Sequence, residues 1–146
     1  MNVEEIMSWD PFCCTIDTSL KDAARMMLDH DCGEIPVADN LQDLRPVGVI
    51  TDRDITCRTV AHGKDPLQMI VRDCMTNRCL PVGPDTSIEE CCRVLEENKI
   101  RRIPIADGQG KCCGIVAQAD LARHLPTEKV AQVVRDVSQS PAGKLI

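Results

Sequence analysis

The stretch GVITDRDI, Gly48 to Ile55, begins as a glycine and three apolar or β-branched residues and passes straight into three charged ones. That is the pattern of a buried strand handing over to the polar start of a helix. A near copy, GIVAQADL, occupies Gly114 to Leu121 and keeps the glycine, the apolar core and the last aspartate. Working outward, the copy extends well beyond these eight residues. DTSLKDAARMML from Asp17 answers DTSIEECCRVLE from Asp85, EIPVADN from Glu34 answers RIPIADG from Arg102, and IMSWDP from Ile6 answers CMTNRC from Cys74, all at an offset of 68 residues. The two glycines are 66 apart, so the second copy is shorter by two residues in the loop that precedes them. The chain is a tandem repeat whose units are too short to be comfortable alone and are expected to share a core.

Each copy has the same coarse plan. Leu20, Ala23, Ala24, Met27 and Leu28 recur at helical spacing, as do Ile88, Cys91, Cys92 and Leu95, with Thr86 and Glu89 reading as a capping box. A short strand follows (IPVA, IPIA), whose proline suggests a sheet edge or a strand start. Next come a polar loop, the strand VGVI or CGIV, and a second helix over roughly 52–60 or 118–124. The order helix, strand, loop, strand, helix specifies an α/β class of the α+β type, a small sheet covered by helices. The boundaries are a first repeat over 6–62, a linker over 63–73 and a second repeat over 74–125. A terminal helix spans 126–138, with Val130, Val133, Val134 and Val137 on one face, and a flexible tail spans 139–146.

The composition suits a globular chain: 146 residues, 43% hydrophobic and 27% charged, with a net charge of −6. The negative balance argues against nucleic acid or a membrane surface as a general partner. The start MNVEEIMSWD lacks the basic and apolar segments of a signal peptide, which points to the cytoplasm. Ten cysteines include three vicinal pairs and no C-x-x-C spacing, so packed thiols are the plain expectation and a thiol redox or metal sensor the alternative. His30, His62 and His124 join no nucleophile motif, and no P-loop is present, so the chain is not expected to be an enzyme.

The repeated h-P-h-h-D strand and G-h-h-T-x-x-D-h junction resemble a tandem pair of CBS domains, the family named for the regulatory region of cystathionine β-synthase and found also in inosine-monophosphate dehydrogenase. The similarity runs from about Ile6 to His124, and GVITDRDIT with the downstream RHLP is similar to small stand-alone bacterial members, some tied to hypoxic or stress responses. The resemblance implies two pseudo-symmetric CBS units packed sheet to sheet, often as a homodimer. It also implies clefts that take AMP, ADP or ATP, and sometimes NAD or S-adenosylmethionine, with no required cofactor.

On that reading Thr51 offers its hydroxyl to a phosphate and Asp54 accepts hydrogen bonds from both ribose hydroxyls, at a helix start whose free N–H groups favour an anion. Thr51 and Asp54 serve equally well as an ordinary helix cap with an acidic first turn. Asp120 repeats the ribose position, but Ala117 replaces the hydroxyl. Arg101 and Arg102 are the candidate phosphate ligands, with Arg53 and Arg58 as weaker ones; the matching residues of the first copy are Gly33 and Glu34. With one Phe, one Trp and no Tyr, a purine would lie between aliphatic groups near Ile16, Val37 and Ile50, or near Ile105 and Val116 in the second copy, all of which also suit a plain core. The expected function is a non-catalytic sensor of an adenosine-containing ligand that signals to an unidentified protein partner by population shift. Its better site would combine Thr51 and Asp54 with Arg101 or Arg102. A protein-interaction scaffold with degenerate clefts is the other class.

Overall fold

The computed structural model describes residues 1–9 and 12–139; the part of the expected tail from 140 onward lies outside them. In chain order the elements are β1 (Ser8–Trp9), β2 (Cys14–Thr15), α1 (Leu20–His30), β3 (Glu34–Ala38), β4 (Pro46–Thr51), α2 (Asp52–Arg58), α3 (Ile88–Asn98), β5 (Arg102–Ala106), β6 (Cys112–Ala117), α4 (Gln118–His124) and α5 (Thr127–Val137), with four short 3-10 turns.

These elements form two compact units, and the units do not coincide with the sequence copies. One runs from Phe12 to Cys79; the other joins the N-terminal residues through Trp9 to the chain from Leu80 onward. The cause lies in the segment that leads each copy. β1, which leads the first copy, pairs antiparallel with β6 of the second, Ser8 opposite Ile115 and Trp9 opposite Gly114. Thr76, which leads the second copy, bridges Val49 of β4 in the first, with N–H···O bonds of 2.8 and 3.0 Å in the two directions. Each unit therefore borrows the leader of the other copy.

In the Phe12–Cys79 unit the sheet order is β2-β3-β4, β2 parallel and β4 antiparallel to β3. In the other unit it is β1-β6-β5, with Val82 bridging β5 in parallel. The proline in β5 thus sits on a strand paired with β6 on one side and bridged on the other, where its carbonyl accepts the Val82 N–H at 3.1 Å. The proline in β3 sits on an interior strand, a departure from the sequence expectation, but its neighbour β2 is only two residues long and needs no further donor.

The leaders explain the repeated glycines. A Cβ on Gly48 would lie 2.3 Å from the Thr76 carbonyl oxygen and 2.6 Å from Met75 Cε. At Gly114 it would lie 2.6 Å from Met7 Sδ and 3.1 Å from the Ser8 carbonyl oxygen. Glycine recurs because a borrowed strand crosses it at backbone contact.

Ser19 and Ser87, not Thr86, cap α1 and α3, accepting from Asp22 N–H at 3.0 Å and Glu90 N–H at 3.2 Å. The cap falls one residue later than the sequence suggests because Thr86 carries its carbonyl to Val3 N–H instead. Both helices end on a non-glycine residue in the left-handed region, Asp31 and Lys99. The apolar stripe of α3 is buried as expected at Ile88, Cys91, Cys92 and Leu95. That of α1 is narrower: Leu20, Ala23 and Met27 are buried, whereas Ala24 is exposed and Leu28 is 70% exposed. The difference is α5, which packs on α3 and α4. It buries Val133 and Val137 there, while Val134 of the expected face stays 43% exposed, and Lys129 pairs with Glu96 at 3.1 Å.

The two glycines should differ in tolerance, since Gly48 faces a fixed carbonyl and Gly114 chiefly a flexible methionine. Gly48→Ala should cost about 3 kcal/mol and Gly114→Ala about 1 kcal/mol of unfolding free energy, measured by urea denaturation.

Candidate functional site

The β4–α2 junction is built by short-range bonds. Thr51 ends β4 and caps α2: its Oγ1 accepts the Asp54 N–H at 2.9 Å, and Asp54 Oδ2 accepts the Thr51 N–H at 3.1 Å. The Asp52 N–H donates to the Gly33 carbonyl at 2.9 Å and the Arg53 N–H to Asp52 Oδ1 at 2.8 Å. The first three N–H groups of α2 therefore have partners inside the protein, which corrects the expectation of free donors waiting for an anion.

Asp54 is buried and anchors more than the cap. Thr76 Oγ1 donates to it at 3.3 Å from each carboxylate oxygen, and Arg58 Nε lies 3.7 Å from Oδ1. Arg58 in turn donates to the carbonyls of Cys74 and Met75 at 3.3 and 2.9 Å. The carboxylate thus ties the borrowed leader to the helix start. Thr76 was missed in the sequence. Its signal is the repeat itself: it matches Ser8 at the same offset of 68, so both leaders carry a hydroxyl.

The second junction keeps half of this. Asp120 Oδ2 accepts the Ala117 N–H at 2.8 Å, and Ala117 supplies no side-chain cap. Arg123 pairs with Asp120 Oδ1 at 3.1 Å, and His124 Nδ1 meets the Asp120 carbonyl at 2.8 Å. Arg102 lies opposite Ala117 across the sheet, just as Glu34 lies opposite Thr51. The Arg101 carbonyl accepts the Gln118 N–H at 3.1 Å, and its side chain is exposed.

The candidate residues fall into two sets. Ile16, Val37, Ile50, Thr51, Arg53 and Asp54 belong to the Phe12–Cys79 unit; Arg101, Arg102 and Asp120 belong to the other. Val37 and Ile50 have no exposure and pack with Leu20 and Ile35, while Ile16 is half-buried and Arg53 exposed. Ile105 and Val116 are likewise fully buried. Any base contact from these four buried positions runs through their backbone rather than their side chains.

All ten thiols are free, and five are buried: Cys14, Cys74, Cys91, Cys92 and Cys112. Burial pushes Cys14 and Cys91 up to about 12, in each case with a smaller contribution from the vicinal Cys13 or Cys92. Burial, then the Glu34 carboxylate, pushes Cys79 up to about 11. Thiols held protonated in this way are poor nucleophiles. Among the described residues no three His, Cys, Asp or Glu side chains form a group that could hold a metal ion. No helix among them is long and apolar enough to cross a membrane.

The CBS domain model matches the chain twice, over residues 3–58 and 71–127. The chain belongs to the CBS domain family. It is a tandem CBS pair, with two small sheets and their covering helices. Hypoxic response protein 1 of Mycobacterium tuberculosis is 34% identical over 133 residues, covering 91% of each chain. The crystal structure of that protein with two coordinated zinc ions has a TM-score of 0.76, at 86% coverage of this chain and 100% of the other. The CBS domain protein TA0289 of Thermoplasma acidophilum, of unknown function, has a TM-score of 0.80 at 26% identity, covering 93% of this chain and 75% of its own. CBSX2, solved in complex with AMP, has a TM-score of 0.70 at 28% identity, covering 84% of this CBS pair and 93% of CBSX2.

Two outcomes follow from the junctions and the thiols. Asp54→Ala strands the Thr51 N–H and the Thr76 hydroxyl and removes the ion-pair partner of Arg58, and should cost about 3 kcal/mol of stability, against about 1 kcal/mol for Asp120→Ala, whose Arg123 partner is exposed; chemical denaturation of both variants measures the gap. Titration with a colorimetric thiol reagent at pH 7.5 should leave Cys14, Cys74, Cys91, Cys92 and Cys112 unlabelled until denaturant is added, with mass-spectrometric mapping to assign the sites.

Proposed function

We propose that this CBS pair is a non-catalytic regulatory module that binds an adenosine-containing ligand, AMP, ADP or ATP foremost, with NAD and S-adenosylmethionine as further candidates. The observation that carries the reading is the complex of CBSX2 with AMP, a protein whose fold this chain matches over 84% of its length at 28% identity. The chemistry of the junctions supports it. Asp54 and Asp120 are carboxylates at helix starts suited to the ribose diol, and Thr51 is the hydroxyl suited to phosphate. Arg101, Arg102 and Arg53 are cations suited to the same group. Ile16, Val37 and Ile50 surround the base, the two buried ones through their main chain. The Ala117 junction has no hydroxyl to offer, so ligand selectivity differs between the two copies. The module acts as a cytoplasmic homodimer that reports ligand occupancy to a protein partner by favouring one conformation.

Metal sensing is the second reading, drawn from the two zinc ions of the Mycobacterium tuberculosis relative.

A thermal-shift panel with AMP, ADP, ATP, NAD, S-adenosylmethionine and zinc chloride separates these readings. Since Asp54→Ala perturbs the fold itself, Arg101→Ala is the sharper control: the side chain is exposed and its removal leaves the sheet intact. The wild-type Tm should rise by about 5–10 °C at a hundredfold excess over Kd for one nucleotide. Arg101→Ala should keep its own Tm and lose most of that rise for phosphate-bearing ligands. A rise with zinc alone would replace the nucleotide reading by the metal one.

A further inference from the structure

The Asp54 side chain is 6% exposed, so a ligand hydroxyl reaches it only by displacing a group that already covers it. Three groups do so. The Thr51 N–H belongs to the helix cap and is fixed by the backbone. Arg58 is held by its bonds to the Cys74 and Met75 carbonyls. Thr76 differs from both. Its hydroxyl is shared between the two carboxylate oxygens at 3.3 Å each, long for an O–H···O contact whose usual distance is about 2.7–2.8 Å. It can leave by a rotation about its own side-chain bond, because its backbone stays paired with Val49. A hydroxyl that donates weakly to both oxygens of one carboxylate occupies the position that a vicinal diol would take with two stronger bonds.

We propose that Thr76 is a specificity-determining residue, an internal competitor that a ligand's 2′,3′-diol must displace from Asp54. The inference rests on the reading that Asp54 receives the ribose of an adenosine ligand. Thr76 thereby lowers the affinity for every diol-bearing ligand and leaves ligands without hydroxyls unaffected. The same side chain stands on the segment that leads the second copy, so ligand binding changes what holds that segment to the helix start. At the second junction the corresponding carboxylate, Asp120, is met by Arg123 at 3.1 Å instead.

The test is isothermal titration of AMP and ATP and of their 2′,3′-dideoxy counterparts into wild type, Thr76→Val and Thr76→Ser, with circular dichroism to confirm folding. Thr76→Ala replaces the valine variant if valine disturbs the bridge to β4. Removal of the hydroxyl should tighten AMP or ATP about three- to tenfold and leave the dideoxy nucleotides unchanged, while Thr76→Ser should match wild type. A purely structural role for Thr76 predicts instead that the variant weakens both ligand types alike. Unchanged or weaker binding of the diol ligands to the valine variant, or equal tightening of the dideoxy ones, overturns this inference while leaving the nucleotide reading intact. A wild type that binds neither AMP nor ATP overturns the Asp54 reading and this inference with it.

Discussion

The structure depends on a backbone crossing. Thr76 runs across Gly48, and Ser8 across Gly114, at distances that admit no side chain on Gly48 and one on Gly114 only where Met7 gives way. Each crossing completes a sheet with a segment that leads the other copy, so neither copy closes its own unit. A repeat of this size buries too small a fraction of its surface to be secure alone, and trading leaders makes the two units covalently interdependent. The glycine of GVITDRDI is thus first a packing residue, whatever the junction beside it binds.

That junction shows how few residues carry both fold and candidate chemistry. Thr51 and Asp54 satisfy each other's backbone donors, and Asp54 also receives Thr76 and faces Arg58. A carboxylate with so many internal partners cannot be replaced without consequences for the leader strand, which makes loss of binding on its removal ambiguous. Exposed Arg101 carries no such burden. The second junction is looser, since Ala117 cannot cap and the partner of Asp120 is a solvent-facing arginine. The two copies, alike in backbone, have therefore diverged in how much of their polar capacity is spent internally.

Much of this was legible because the chain states its plan twice. Helix starts, strand pairs and the glycine–aspartate junction were confirmed by their recurrence at a constant offset, which removes the usual ambiguity of a single short apolar run. What misled was local. Thr86 is as good a cap as Ser87 by residue type, and the choice fell to a tertiary bond from Val3 to the Thr86 carbonyl. Ala24 and Leu28 fit the helical period of α1, yet no helix such as α5 covers them within their unit, and they are left exposed. The free N–H groups expected at the start of α2 were claimed by Gly33, Asp52 and Thr51, of which only the last was foreseeable as a cap.

The sequence by itself determined the repeat, the element order, the α/β class and the family, because periodicity, capping residue types and motif spacing are short-range properties written residue by residue. Tertiary structure decided which strand each leader joins, why the glycines are required, and how Asp54 divides its bonds among Thr51, Thr76 and Arg58. The leader pairings and the Thr76 bond to Asp54 join groups that lie 22 or more residues apart or in opposite copies, and no local pattern records which distant backbone will come to lie beside a given strand.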